Sequence, residues 1–381
     1  MLTNSPSTKY LQTLRLLRVL PLLLSGLFIG GCAGLDYYGQ AIGGQLDILA
    51  RTRPISELLN DIPASDGDTL RLEPAIKTRL TTILEIRDFA SQALALPDNN
   101  SYRVYAQLDR PQVAWNVVAT PEFSLKPKTW CFPIAGCVPY RGYFSESRAQ
   151  GFAAQLKSEG LDARVAGVAA YSTLGWFSDP VFSTLMRRND ADLAGLIFHE
   201  LAHQRLYLAG DAAFNESFAS VVEAEGVRRW LQQRGDVRAL ELWQRDQSRQ
   251  REFVELLHKY RGRLQALYAS ALTEIEMRGA KKHIFDTLRA EYVELRNRWG
   301  GYAGYDAWFA QDLNNAHLAA VGLYHRYVPA FQSLLENAAG DMKAFHRSAR
   351  ALRRLPETER NERLAVLTTQ EKKKAANNAA F

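Results

Sequence analysis

Residues 189–208 place the tightest constraint on the chain. Leu193, Leu196, Ile197 and Leu201 recur at helical spacing, and His199 and His203 fall four apart within that stretch. Side chains four apart lie above one another on one helix face, so two imidazoles can reach one ion. Glu200 follows the first of them. It can approach an open coordination position and take a proton from water there. Polar groups set in an apolar helix are costly unless they are paired or bind something. Asn189 or Asp190 can cap this helix and Gly210 can stop it.

A catalytic zinc site needs a third protein ligand. Phe214-Asn215-Glu216-Ser217-Phe218-Ala219 opens the next helix, about 212–234, and offers Glu216; Asp211 is the rival. Twelve residues separate His203 from Glu216, enough for two antiparallel helices joined by a short loop through Gly210. Two histidines and one carboxylate leave zinc with a net charge of about +1, which suits an ion that polarises a carbonyl. Glu223, two turns beyond Glu216, is a candidate to hold an imidazole from behind, or a surface carboxylate.

Elsewhere the chain reads as short β segments followed by helices. Residues 36–60 and 72–97 are expected to be helical, the second with Ile76, Leu80, Ile83, Leu84 and Ile86 on one face. Residues 103–119 and 163–177 are β-like, the second ending at Asp179-Pro180. Ser145 to Glu159 reads as a helix capped by Ser145 and stopped by Gly160. From Asp190 to Arg350 the pattern is almost wholly helical. Phe253, Leu257, Tyr260, Leu264 and Leu267 recur at steps of 4, 3, 4 and 3, the seam of an antiparallel helical hairpin over 238–278 and 280–299. Two more helices, 305–327 and 329–352, precede a charged segment from Pro356 that is expected to fray.

The N-terminus reads as an export signal. Lys9, Arg15 and Arg18 precede the apolar run Val19–Ile29, and Gly30-Gly31-Cys32 follows. The run is short for a membrane span; the alternative is an uncleaved anchor helix. The Ile29-Gly30-Gly31-Cys32 ending resembles a bacterial lipobox, which implies removal of residues 1–31 and a lipid on Cys32. Ala33 in place of Asp then implies the outer membrane. Removing residues 1–31 takes three basic and no acidic residues from 47 and 41, leaving 44 against 41. So small an excess does not call for a nucleic-acid partner. Cys131 and Cys137 bracket a turn-forming segment, and in an oxidising compartment they are either bonded or free.

Together HELAHQ, FNESFA, GVAAYSTLGWFSDP, VPYRGYF and NNAHLAAVGLYHRYVPAF resemble the bacterial family of predicted aminopeptidases, exported zincins of gluzincin type. The resemblance spans residues 32 to about 365. The metzincin continuation is missing, because Leu206 and Ala209 stand where glycine and histidine would be needed. The family implies an α+β, mostly helical zincin-like fold, with a small β-sheet before the motif helix and a long helical hairpin after it. It implies one zinc ion held by His199, His203 and Glu216, with Glu200 as general base. An edge strand over Val168–Thr173, including Ala170 and Tyr171, is expected to pair with a peptide substrate, or else to lie inside a sheet. Tyr324 is expected to stabilise an oxyanion, with His317 on a similar face, or else to be a hydrogen-bonded core tyrosine. The organisation expected is a signal over 1–31, one peptidase domain over 32–355 and a tail over 356–381. A non-catalytic envelope scaffold with a structural metal, and an esterase or amidase, are the competing readings. Exopeptidase and endopeptidase action are not distinguished.

Overall fold

Helix-capping chemistry sets most element boundaries in the computed structural model, which describes residues 32–62, 71–132, 136–170, 172–324 and 326–378. Of residues 32–35, 320–324 and 372–378 only the backbone is described. The expected signal, residues 1–31, lies outside the described part. The chain divides into two units after Ala50. The described part of the first is helix α1, Cys32–Ala50. Among the described residues no helix is long and apolar enough to cross a membrane.

The second unit begins with β1 (Thr52–Pro54), α2 (Ile55–Leu59) and α3 (Pro74–Leu94). There follow β2 (Val104–Ala106), β3 (Ala114–Pro121), β4 (Trp130–Phe132), β5 (Gly136–Val138) and β6 (Arg141–Tyr143). Helix α4 (Glu146–Ser158), β7 (Leu161–Val168) and β8 (Val181–Phe182) complete the β-containing part. The rest is helical: α5 (Asp190–Arg205), α6 (Ala212–Arg234), α7 (Val237–Tyr268), α8 (Glu274–Arg298), α9 (Asp306–Phe309), α10 (Asn315–Tyr324), α11 (Val328–Asn337), α12 (Met342–Arg354) and α13 (Glu357–Asn378). The architecture is therefore α+β and mostly helical, with the β structure ahead of α5.

That β structure is three small sheets rather than one. β1, β2 and β8 form a mixed sheet, and β4 pairs with β5 as a hairpin. β6, β3 and β7 form an antiparallel sheet with β3 in the middle. Along β3, Trp115, Val117, Val118 and Ala119 are all buried, including neighbours that point to opposite faces. Both faces are covered, which explains the break in strict alternation. On one side Phe152 of α4 meets Tyr143 and Trp130. On the other, the residues that open α10 tie in: Asn314 Nδ2 donates to the Ala163 carbonyl and the buried Asn315 Nδ2 to the Glu122 and Ser124 carbonyls.

The expected hairpin is present as α7 and α8, joined by residues 269–273. Contacts Glu252–Trp299 and Lys259–Glu291 fix its antiparallel sense. Leu257, Tyr260 and Leu264 of the seam are buried against Phe285, Leu288, Tyr292 and Leu295. Thr273 and Glu276 form a reciprocal capping box at the start of α8.

Three expectations need correction. The helix expected over 305–327 is two, α9 and α10, interrupted where Gln311 and Asn314 side chains bond locally instead of continuing a ladder. The segment after Pro356, expected to fray, is helical from Glu357 to Asn378. Helix α13 buries Leu364 and packs on α11, with Ser333 Oγ donating to the Leu367 carbonyl and Tyr327 hydroxyl to Asn361. Strand β7 ends at Val168, earlier than expected. It is an edge strand, but Ala169 and Ala170 lie beyond it, and Tyr171 is outside the described residues.

Candidate metal centre

Helices α5 and α6 supply the His-His-Glu group that, among the described residues, could hold a metal ion. Asn189 caps α5 by accepting from the Asp192 amide, and Asp211 caps α6 by accepting from the Phe214 amide. The connection between them is closed by Asn215, whose side-chain oxygen accepts from the Leu208 amide and whose nitrogen donates to the Leu208 carbonyl. So the asparagine ahead of Glu216 locks the turn that brings Glu216 back towards α5.

The two helices approach closely through two glycines. A methyl group on Gly195 would lie 3.3 Å from both Glu223 Oε1 and Val227 Cγ2. One on Gly226 would lie 2.6 Å from the Phe198 ring and 2.7 Å from Leu94. Phe198 is buried and packs on Phe89 of α3. Small residues at these crossings let the carboxylates of α6 reach the imidazoles of α5.

His199 Nε2 lies 3.3 Å from Glu216 Oε2, and His203 Nε2 lies 3.8 Å from Glu216 Oε1. The two rings stand nearly perpendicular, 4.9 Å apart. One ligand atom from each of His199, His203 and Glu216 falls within 4.8 Å of the others, so this group could hold a metal ion. Ligands about 2.1 Å from a tetrahedral ion stand about 3.4 Å apart. The observed separations are close to that edge length, and two imidazoles with one carboxylate form a donor set that zinc accepts. The residues therefore fit the ion they were expected to bind.

Asp211, the rival ligand, is occupied elsewhere. One carboxylate oxygen caps α6 and the other accepts from Arg360 at 3.1 Å. Glu223 is placed behind the group, with its Oε2 2.9 Å from His199 Nδ1. His203 Nδ1 has no hydrogen-bond partner among the described residues.

Electrostatics separate the two imidazoles. Burial disfavours a charge on His199, but Glu216 and Glu223 at its two nitrogens outweigh burial and hold its pKa well above the ordinary value. Burial dominates at His203 and pushes it down to about 4, with Glu216 offsetting only part. Glu200 makes no hydrogen bond among the described residues. Burial, helped by the charges of Glu216, Asp179 and Glu223, pushes its carboxyl up to about 7 against the opposing pull of His199.

The structure does not bring His317 into this group. Its Nδ1 lies 3.2 Å from the Asn314 amide and its Nε2 3.2 Å from Gln311, while the ring packs on Trp308. Burial pushes its pKa down to about 3. The sequence spacing put it on a similar helix face to Tyr324, but at the start of α10 it turns to the preceding loop. The side chain of Tyr324 lies outside the described residues. The backbone just past α10 does reach α6: the Tyr327 amide donates to Ser217 Oγ at 3.1 Å.

Three neighbours of the group were missed in the sequence. Gln204, next to His203, donates through Nε2 to Asp179 at 2.9 Å and to Ser101 at 3.1 Å. Asp179 is buried and also accepts from the Thr173 amide. Burial raises its pKa despite these bonds. Tyr207 lies close enough to Glu216 for that charge, after burial, to raise its hydroxyl. Gln204 follows His203 within α5, whereas Tyr207 lies past the helix end at Arg205, where no helical periodicity could place it. Asp179 was hidden because it was read only as a turn residue before proline.

The family model described as "Putative aminopeptidase" matches residues 36–364. The chain belongs to this family. No curated protein and no solved structure matches the chain. The family supports peptidase action in general, and the His199–His203–Glu216 group is the chemistry on this chain that could serve it.

Proposed function

We propose that the chain is a zinc-dependent peptidase of gluzincin type, acting as an aminopeptidase. The observation that carries this reading is the convergence of His199, His203 and Glu216, with Glu200 next to His199 in the same helix and its carboxyl acted on by the charge of Glu216. A zinc ion held by these three residues supplies Lewis acidity towards water and towards a carbonyl oxygen.

The chain's own residues move the proton. Burial raises the Glu200 carboxyl above the ordinary carboxylate range, which helps it hold a proton once received. Glu200 takes a proton from water, whose oxygen bonds to the scissile carbonyl carbon. It then delivers that proton to the leaving nitrogen as the C–N bond breaks. Glu223 keeps the His199 ring turned so that Nε2 faces Glu216. Tyr324 is assigned the developing oxyanion, supported by the contact of the turn after α10 with Ser217. The lipobox-like Cys32 assigns the protein to the periplasmic face of the outer membrane, with peptide as its partner.

Glu200→Gln tests the assignment. The variant should bind one equivalent of zinc as the wild type does and lose at least 100-fold in peptide hydrolysis. Wild-type turnover by the variant would end this reading.

A further inference from the structure

The segment from Ser172 to Asp179 carries two aromatic rings in water and is tied to α5 through Gln204. Trp176 is 69% exposed and Phe177 48%. Exposed aromatics on a loose loop would mean little, but this loop is tightly held. The Trp176 amide donates to the Thr173 carbonyl, and the Phe177 amide to Thr173 Oγ1, both at 3.1 Å. The Leu174 amide donates to Ser172 Oγ, and Ser101 Oγ to the Phe177 carbonyl. Leu174 sits at φ 57° ahead of Gly175 at φ 83°. A β-unbranched but bulky residue keeps that left-handed backbone only where its surroundings impose it.

The frame closes on Asp179, which accepts from the Thr173 amide on one oxygen and from Gln204 Nε2 on the other. Gln204 directly follows His203, and the charge of Asp179 acts on Glu200. Gly175 lies against the Gln204 side chain, where a methyl group would be 3.6 Å from Oε1. The backbone that carries the two rings is thus tied to the helix that carries the proposed base.

The geometry points to Trp176 and Phe177 as the specificity-determining residues, which take an apolar side chain of the substrate peptide next to the scissile bond. This rests on the peptidase reading. Rigid aromatics offer a large contact area and lose little conformational freedom on binding. A membrane surface is the other apolar partner such rings could meet. It would call for cationic residues beside them, and between Arg164 and Arg187 the chain has no Lys or Arg, so none is closer than about ten residues to the two rings along the chain. Asp179 is the only charged side chain in that stretch, and it is buried.

The test compares kcat/KM for matched peptides carrying Phe, Leu, Ala or Lys on either side of the cleaved bond, for the wild type, Trp176→Ala, Phe177→Ala and Trp176→Phe. Both positions are exposed, so circular dichroism and zinc stoichiometry should show the variants folded and loaded. The wild type should prefer Phe and Leu. The alanine variants should lose at least tenfold of that preference over Ala, mainly through KM, and Trp176→Phe should restore most of it. If the wild type cleaves peptides and the preference does not change in the alanine variants, the loop assignment fails and the peptidase reading stands. If the wild type cleaves none, binding of the same labelled peptides to Glu200→Gln decides: Trp176-dependent binding of the apolar peptides keeps the loop assignment while the peptidase reading fails, and no binding removes both. Trp176→Ala that weakens only sedimentation with phosphatidylcholine–phosphatidylglycerol vesicles overturns the assignment in favour of a membrane contact.

Discussion

Replacing Glu223 with alanine probes the centre without touching a ligand. Its carboxylate lies 2.9 Å from His199 Nδ1, while Nε2 of the same ring faces Glu216 at 3.3 Å. In the variant His199 Nδ1 loses this partner and only Nε2 still faces a carboxylate, as is already the case for His203, whose Nδ1 has no hydrogen-bond partner among the described residues. Outer-shell partners of this kind change metal affinity by about 10–100-fold, or about 1.4–2.7 kcal/mol. The Glu223 side chain is 37% exposed, so water screens part of its charge and the loss should fall near the tenfold end. Glu223→Gln keeps an acceptor for the Nδ1–H and should lose less. The assay is competition for zinc against a fluorescent chelator at fixed pH, with circular dichroism of the metal-free variant as the control for folding. A folded Glu223→Ala protein with wild-type zinc affinity would refute the claim that this contact orients the ligand.

Three further outcomes follow from the packing. Gly226→Ala forces a methyl group to within 2.6 Å of the Phe198 ring, so Phe198 and the adjoining His199 must shift. The strain of about 1–3 kcal/mol outweighs or cancels a helix-propensity gain of about 1 kcal/mol, so thermal stability should not rise and zinc affinity should fall. Arg87→Met removes a buried guanidinium that donates to the carbonyls of Pro97, Asn99 and Ser101. It should cost about 3 kcal/mol or more in urea unfolding. His346 is held neutral by burial, with a pKa of about 4 against 6.5, and its Nε2–H donates to the Leu94 carbonyl. The unfolded chain takes up that proton first, so stability is full above about pH 6.5 and declines on acidification towards pH 4. The loss from this residue is on the order of 3 kcal/mol, and His346→Gln should flatten the decline in denaturant titrations at several pH values.

How far the sequence could be read depended on whether each signal was local. Caps at Ser145 and Asn189 marked helix starts within a residue or two, because a cap acts on the turn beside it, whereas α5 stops at Arg205, ahead of the Gly210 expected to end it. The group His199, His203 and Glu216, which could hold a metal ion, was legible because its signal is equally local. The sheet of β1, β2 and β8 was not, because strands of two or three residues are too short to show a period of two. Helix α13 escaped notice because its charged surface outweighed the few inward residues, among them Arg360 and Leu364. The Asp179–Gln204 bond joins residues 25 apart, and no local pattern announces it.

His199 and Glu216 are only 17 residues apart, and the turn between them is closed by Asn215. Bringing such near neighbours together costs little chain entropy, so contacts of this kind form early in folding. On the proposed metal-binding reading, the α5–α6 pair would be able to capture an ion while residues 237–378 are still finding their places, and the loaded pair would then offer a preformed surface to the helices that pack on it later.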